Sequence, residues 1–291
     1  MAKKSILTNN KIHIFSVDLE SLYTTSYYNG CKKNIELCDI KKPTYDLLNL
    51  FEKKEIKVTF FVLGIIAKEQ PLLIKEISKR GHEVASHGYS HTPLNKLSLK
   101  EFEQEIVDSK NIIQDITGLK VKGFRAPFFS LNYDSSWAID ILKKHEFLYD
   151  ASIFPMKTPK YGIIKSPENF YKICSEDISV NSVGSSLLEF PHSLFKFGKF
   201  KVPCAGGIYS RFLPYKLLKN MLKNVEKRQI ISFYTHPWEF QHVPSIKTKV
   251  PKYKQFLAHY NNKHHLKKVE KLITDFKFTS FENFIDENIF S

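Results

Sequence analysis

Four short stretches of this sequence carry side chains that could do acid–base or metal chemistry. Asp18 and Glu20 stand two apart at the end of an apolar run, so strand geometry carried through to Glu20 would turn both carboxylates to one side. His87 and His91 stand four apart, and a helical turn closing before Pro93 would present both imidazoles to one cation. Arg125, in Arg-Ala-Pro, could hold a buried carboxylate through a bidentate contact. His236 follows Ile231, Phe233 and Tyr234 and is either a satisfied buried histidine or a general acid. Two histidines with one carboxylate make a metal shell with positions open for water, and a second carboxylate outside that shell is a base. Each stretch alone is more often a solvated strand end or a surface pair. Their joint placement argues for a hydrolytic site. The zincin pattern fails, because His82-Glu83 is followed by His87, five residues from the first histidine and rotated away from it.

In α/β proteins chemistry collects where strands end, and the expected elements put all four stretches there. Ile12 to Asp18 reads as a first strand, then a helix from Pro43 to Lys54 and a strand over Val58 to Val62. A helix should open at Pro71 and stop at Gly81, before a strand from His82 to Ser86. Ser98 with Glu101 is a capping box, and Phe102, Ile106, Ile113 and Ile116 keep helical spacing up to Gly118. Gly123 to Ala126 is a short strand and Ser135 to His145 a helix. Leu187 to Phe190 and Ile230 to Thr235 are later strands around a helix from Pro214 to Lys227. Strands alternating with helices predict a mainly parallel sheet in an α/β fold. The stretch from Tyr149 to Leu187, broken by Pro155, Pro159, Gly162, Pro167 and Gly184, reads as a loop-rich insertion or substrate loop.

A chain of 291 residues, 42% hydrophobic and 25% charged, excludes disorder and fibrous repeats. Its four cysteines, Cys31, Cys38, Cys174 and Cys204, form no C-x-x-C pair and are expected as free thiols. The apolar run Phe60 to Ala67 is far short of the roughly 20 residues a bilayer span needs, and polar residues follow Lys3 and Lys4 where a signal peptide would be apolar. A cytoplasmic protein is the expectation. The net charge is +14, which alone fits nucleic acid, an anionic membrane surface, an acidic substrate or plain solvation. Lys247, Lys249, Lys252, Lys254, Lys263, Lys267, Lys268 and Lys271 crowd the C-terminal stretch. Without a zinc finger, an RRM signature or a G-x-x-G clamp, nucleic acid is not an expected partner.

As a set these motifs resemble the polysaccharide deacetylases of carbohydrate esterase family 4, the NodB-homology fold. The resemblance runs from Ile12 to Glu239 through Phe15-Ser-Val-Asp-Leu-Glu20, Thr59-Phe-Phe-Val-Leu-Gly64, Arg80 to His91, Phe124-Arg-Ala-Pro127 and Phe233-Tyr-Thr-His-Pro-Trp-Glu239. The Asp-x-Glu first motif and Gly206-Gly207-Ile208-Tyr209-Ser210-Arg211 point to one branch of that family. The resemblance implies a single-domain distorted (β/α) barrel over 12–240, after an N-terminal extension 1–11 and before a lysine-rich extension 241–291 packed on the same domain. It implies that Glu20, His87 and His91 bind a divalent metal, usually zinc. Asp18 would be the general base, Arg125 its orienting partner, His236 the general acid, and the Phe128 N–H a donor to the oxyanion. Trp238, Tyr209 and Arg211 are the expected substrate contacts.

The sequence departs from the family pattern in three places. Glu20 stands where the family usually has Asp, Arg125-Ala-Pro-Phe-Phe129 lacks a closing glycine, and no separate Asp motif orients His236. Asp150 and Glu189 are the candidates for that orienting acid. The expected reaction is hydrolysis of the acetamide of an N-acetylated sugar, releasing acetate. An amidohydrolase on a small cyclic amide or imide and a catalytically silent glycan- or anion-binding protein are the alternatives. Peripheral contact with an anionic membrane or a lipid-linked glycan is a further expectation from the lysine excess.

Overall fold

The first strand, β1 (Ile12–Leu19), is the spine of the molecule. From His13 onward every residue of it is buried, which is what a parallel strand covered on both faces requires. The structure is a computed structural model that describes residues 11–25, 40–158, 162–241 and 250–289. Cys31, Cys38, Lys247 and Lys249 lie outside these residues, while Cys174 and Cys204 are free thiols.

After β1 come α1 (Lys41–Lys53), β2 (Thr59–Val62), α2 (Gly64–Glu69), α3 (Pro71–Lys79), β3 (Glu83–Ser86), α4 (Leu99–Thr117), β4 (Gly123–Phe124), α5 (Ala138–Lys144) and β5 (Tyr149–Asp150). The chain continues through β6 (Tyr171–Lys172), β7 (Leu188–Glu189), β8 (Leu194–Phe197), β9 (Phe200–Pro203), α6 (Gly207–Phe212), α7 (Tyr215–Glu226), β10 (Ser232–Thr235), α8 (Lys252–His259), α9 (Asn262–Asp275), β11 (Lys277–Thr279) and α10 (Phe281–Asn288). Nine strands form one sheet in the order β10-β1-β2-β3-β4-β5-β7-β6, with β11 also paired to β1. Every pairing in it is parallel except β6 with β7. The sheet curls into a half-barrel. Past β7 the chain reaches back to β10, where the Ser193 hydroxyl donates to Ile230 O at 3.1 Å and accepts from Ser232 N–H at 2.8 Å. The fold is thus a single-domain, distorted (β/α) barrel of mixed α/β class.

Local signals and packing agree along the first half. Ser98 accepts from Glu101 N–H while Glu101 reaches back to Ser98 N–H, and Gly118 ends α4 in the left-handed region at φ 73°, where a residue without Cβ is unstrained. Phe102, Ile106 and Ile113 of α4 are buried against the sheet. The apolar run Phe60 to Ala67 divides between β2 and α2, a short helix that hydropathy alone does not separate from a strand.

The second half departs more from expectation. The 149–187 stretch is loop-rich, yet it contributes β5 and β6 to the sheet and buries Ile153, Phe154, Ile163, Ile173 and Ile178. The segment expected as an extension over 241–291 supplies β11, whose Lys277, Phe278 and Thr279 pair with Ile12, His13 and Ile14. Phe278 and Phe281 are buried with it. Nor are all the lysines there solvated. Half-buried Lys268 donates to the carbonyls of Ser210, Arg211 and Leu213 at 2.8–2.9 Å, satisfying orphan acceptors at the end of α6.

Candidate active site

Parallel strands deliver their C-terminal ends to one rim, so Asp18, Glu20, His87, Arg125 and His236 converge although up to 218 positions separate them in the sequence. They line a cavity of about 280 Å³ together with His91, Phe128, Phe129, Gly207, Tyr209, Tyr234 and Trp238.

His87 and His91 meet, but not on a helical turn. Residues 87–91 form an irregular loop with Gly88 at φ 77° and His91 at φ 62°. The Glu105 carboxylate on α4 holds this loop, accepting from Tyr89 N–H at 2.7 Å and Ser90 N–H at 2.8 Å. Gly64 and Ile65 N–H donate to the Gly88 and Tyr89 carbonyls. The ring centroids of the two histidines lie 5.2 Å apart. His87 Nδ1 bonds to Arg125 O at 2.7 Å and His91 Nδ1 to Thr24 O at 2.8 Å. His91 Nε2 faces Glu20 Oε2 at 2.7 Å.

One ligand atom from each of Glu20, His87 and His91 lies within 4.8 Å of the others, and all three residues are buried. Main-chain carbonyls on both Nδ1 atoms fix the tautomer that leaves Nε2 for a cation, the usual outer support of a metal-bound histidine. Burial lowers His87 to about 4, further than Asp18 and Glu20 raise it, so the ring is neutral and able to ligate at pH 7. Burial raises Glu20, but His91, His236 and His87 outweigh it and hold the carboxyl at about 2. Two imidazole nitrogens and a carboxylate are the donor set of a zinc-type divalent cation.

Asp18 lies at the end of β1 and is fully enclosed. Arg125 Nη1 donates to its Oδ1 at 2.6 Å and to Ser16 Oγ at 2.8 Å. The Arg125 guanidinium also stacks over Phe61 at 4.1 Å, so its direction is set from two sides. Beyond it Phe128 takes a left-handed conformation, φ 59°, on the cavity wall, and its ring packs on His91 at 4.5 Å.

His236 Nε2 approaches Glu20 Oε1 at 3.1 Å and Asp18 Oδ2 at 3.9 Å. Trp238 stacks on its ring at 5.0 Å with an interplanar angle of 22°. Burial lowers the His236 pKa, but Glu20, Glu239 and Asp18 prevail and raise it to about 9. The acid behind this imidazole is neither Asp150 nor Glu189. It is Glu239, whose Oε2 lies 3.4 Å from His236 Nδ1 and accepts from His236 N–H at 3.0 Å and the Thr235 hydroxyl at 2.7 Å. The signal was in the sequence: a carboxylate three residues after the histidine, across Pro237, is the position that folds back on an N-cap.

Asp150 and Glu189 instead form their own fully buried pair. Burial raises both carboxyls, and Glu189 is raised further by Asp150, which keeps a proton on the pair. Glu189 accepts from Ile153 N–H at 2.9 Å, and the Ser152 hydroxyl donates to Asp150 while accepting from Ala126 N–H at 2.7 Å. The pair therefore braces the Arg125–Phe128 turn from behind.

Of the expected substrate contacts, Tyr209 and Trp238 line the cavity and Arg211 does not. Arg211 is fully buried, ion-paired with Glu239 at 3.1 Å and bonded to Ala258 O, Tyr260 O and Asn262 Oδ1. Its guanidinium lies 5.2 Å over the Trp238 ring. It ties α6 to the C-terminal segment and supports the tryptophan, which a sequence motif cannot distinguish from ligand binding.

Residues 38–149 match the sequence family described as Polysaccharide deacetylase, and residues 151–286 match a domain of unknown function, DUF3473. Over 107 residues the chain is 35% identical to a peptidoglycan deacetylase of Helicobacter pylori, covering 37% of this chain and 36% of that protein. The matches span about a third of the length of such curated relatives. Among solved structures, a Puue allantoinase is similar with a TM-score of 0.61 at 14% identity, covering 97% of this chain and 96% of its own. A carbohydrate esterase family 4 pseudoenzyme from Bacillus anthracis gives 0.53 at 14% identity, covering 96% and 66%. At such identities the likeness establishes the fold, and the chemistry has to be argued from the side chains.

Proposed function

From the match of residues 38–149 to the polysaccharide deacetylase family, we propose that the chain is a metal-dependent N-deacetylase acting on an N-acetylated sugar of a glycan or glycoconjugate. The observation that carries this reading is the convergence of Glu20, His87 and His91, with both Nδ1 atoms tied to main-chain carbonyls, beside an Asp18–Arg125 pair left outside that triad. A divalent cation held by the triad supplies Lewis-acid polarisation of the acetamide and activation of water. Asp18, fixed by Arg125, takes the proton of the attacking water. The Phe128 amide, on the cavity wall, donates to the developing oxyanion. His236, protonated and clamped between Trp238 and Glu239, gives its proton to the departing nitrogen. One water is consumed, the C–N bond breaks, and acetate and a free amine leave. The cavity, at about 280 Å³, takes one substituted ring, with Tyr209 and Trp238 as walls.

The test is acetate release from N-acetylated sugars by the zinc-loaded chain, with Asp18→Ala and His87→Ala as variants. Both should lose turnover by at least about 10²-fold with their folds intact, and His87→Ala should also lose stoichiometric metal by elemental analysis. Full turnover in either variant, or hydrolysis of cyclic ureides without any of acetylated sugars, would overturn this reading.

A further inference from the structure

The β8–β9 ribbon stands outside the main sheet. Phe195 is paired with Val202, Lys196 with Lys201 and Phe197 with Phe200. Because side chains alternate along a strand, Phe195, Phe197, Phe200 and Val202 share one face of the ribbon and the two lysines the other. That second face is engaged with the protein. Glu168 pairs with both Lys196 and Lys201, and Lys201 also donates to Pro155 O and Ile164 O.

The apolar face changes character along its length. Phe195 packs against the main core, Val202 is 37% exposed, and Phe197 and Phe200 at the tip are 73% and 74% exposed. Ile164, held beside the ribbon through its carbonyl, is 60% exposed. Such an apolar tip is costly in water and signals a missing partner. Lys199 sits in the turn itself, and Lys157 and Lys165 line one surface cavity with Ile164. Against these five lysines stand Asp134, in that cavity, and Glu168, which two of them already share.

We propose that this ribbon docks the protein on an anionic lipid bilayer, with Phe197 and Phe200 entering the acyl boundary and the surrounding lysines meeting lipid phosphates. A two-stranded ribbon bonds only the backbone groups that face its partner strand, so its edges stay at the hydrated headgroup level and only the side chains of the tip enter the acyl boundary. Aromatic rings with flanking lysines suit the polar–apolar boundary of a membrane. A second copy of the chain is a poorer partner. It would bring Lys199 toward its own copy on molecules of charge +14, and two phenylalanines at roughly 150–250 Å² each fall short of the ~800 Å² per partner of a stable dimer. Docking would also serve the cavity. β9 continues through Cys204 and Ala205 to Gly206, bridged to Tyr234, and then to Gly207 and Tyr209 on the cavity wall. A membrane-held glycan would thus be met at the surface where it resides, although docking itself does not depend on the reaction proposed above.

Co-sedimentation of the full chain with phosphatidylglycerol–phosphatidylcholine vesicles, and with phosphatidylcholine alone, tests this. Binding should require the anionic lipid and weaken with salt. Phe197→Ser with Phe200→Ser should lower vesicle affinity about 100-fold, and Lys199→Glu with Lys165→Glu should abolish the preference for anionic lipid. Neither pair touches the site residues, so melting temperature and turnover of a soluble substrate should stay as in the parent. Three results would overturn the proposal: vesicle binding unaffected by the Phe substitutions, no binding to either vesicle, or a dimer that the Phe substitutions dissolve in the absence of vesicle binding.

Discussion

Replacing Glu239 by Gln asks one buried carboxylate to reveal two roles. Three donors bond its two oxygens, the Thr235 hydroxyl, His236 N–H and Arg211 Nε–H at 3.1 Å, and His236 Nδ1 lies 3.4 Å away as an ion-pair contact. An amide keeps one acceptor and turns an N–H toward the rest. If Gln keeps Thr235 and the His236 amide, its NH₂ group opposes Arg211, which is 0% exposed and left with two carbonyls and the Asn262 amide oxygen. Breaking one side of a buried ion pair costs about 3–5 kcal/mol, which for a chain of this size lowers Tm by roughly 5–8 °C. Burial raises the Glu239 carboxyl, but His236 and Arg211 hold it well below the usual carboxylate range. Its folded pKa lies below its unfolded one, so its stabilisation is present above pH 4.5 and is lost on acidification. The Tm deficit of the variant should therefore be full at pH 7 and shrink toward acid. In catalysis, loss of the nearby charge should lower the His236 pKa from about 9 by about one unit, moving the high-pH limb of kcat down. Scanning calorimetry and the pH profile of acetate release read the two effects. Adding Arg211→Met to Glu239→Gln removes the stranded charge and should restore much of the Tm without moving the limb back. An unchanged Tm and an unchanged limb in Glu239→Gln, or recovery of both together in the double variant, would refute the reasoning.

Two other predictions concern the frame around the site. A Cβ at Gly206, φ 133°, would meet Tyr234 O at 2.1 Å. Gly206→Ala should thus cost about 3 kcal/mol or more and displace the Gly207–Tyr209 wall, read as a lower Tm with a raised KM, whereas a neutral effect would mean that the wall yields freely. At the opposite end of the barrel Glu83 is buried, accepting from Tyr149, Thr59 and the Glu282 N–H, and burial raises its pKa to about 7. A carboxyl with a folded pKa above its unfolded 4.5 loses stability as pH rises between the two, so Glu83→Gln should match the parent below pH 4.5 and exceed it by up to about 3 kcal/mol above pH 7. A difference in urea-unfolding free energy that stays flat across that range would contradict the assignment.

The elements legible in the sequence are those whose local signals and burial coincide. The capping box at Ser98 and Glu101, the glycine stop at Gly118 and the apolar run of β1 all act within a turn or a strand, where periodicity and backbone preference decide. β4 and β7 fall within the strands expected over Gly123 to Ala126 and Leu187 to Phe190, whereas the two-residue strands β5 and β6 are too short for periodicity to mark, and β11 is a strand because β1 offers it an edge. At the site, residue type marked Asp18, Glu20, His87, His91, Arg125 and His236 as chemical, yet the i, i+4 argument gave the wrong backbone for the histidine pair. Their meeting depends on Glu105 holding the Tyr89 and Ser90 amides, a contact made across 15 or more positions.

Arg211 and Glu239 show where sequence reading ends. An arginine after a glycine pair and a glutamate after His-Pro-Trp look alike as chemistry-bearing groups. The fold buries both, spends Arg211 on Glu239 and three oxygens of the chain and its side chains, and thereby leaves Glu239 to hold His236. By itself the sequence determined which groups can ligate, accept or donate a proton, because that follows from side-chain type, and which of the longer stretches form strand or helix, because that follows from local periodicity. Only the tertiary structure decided which of those groups face the cavity and which face each other, because burial, partner charge and direction are set by packing between segments far apart in the chain.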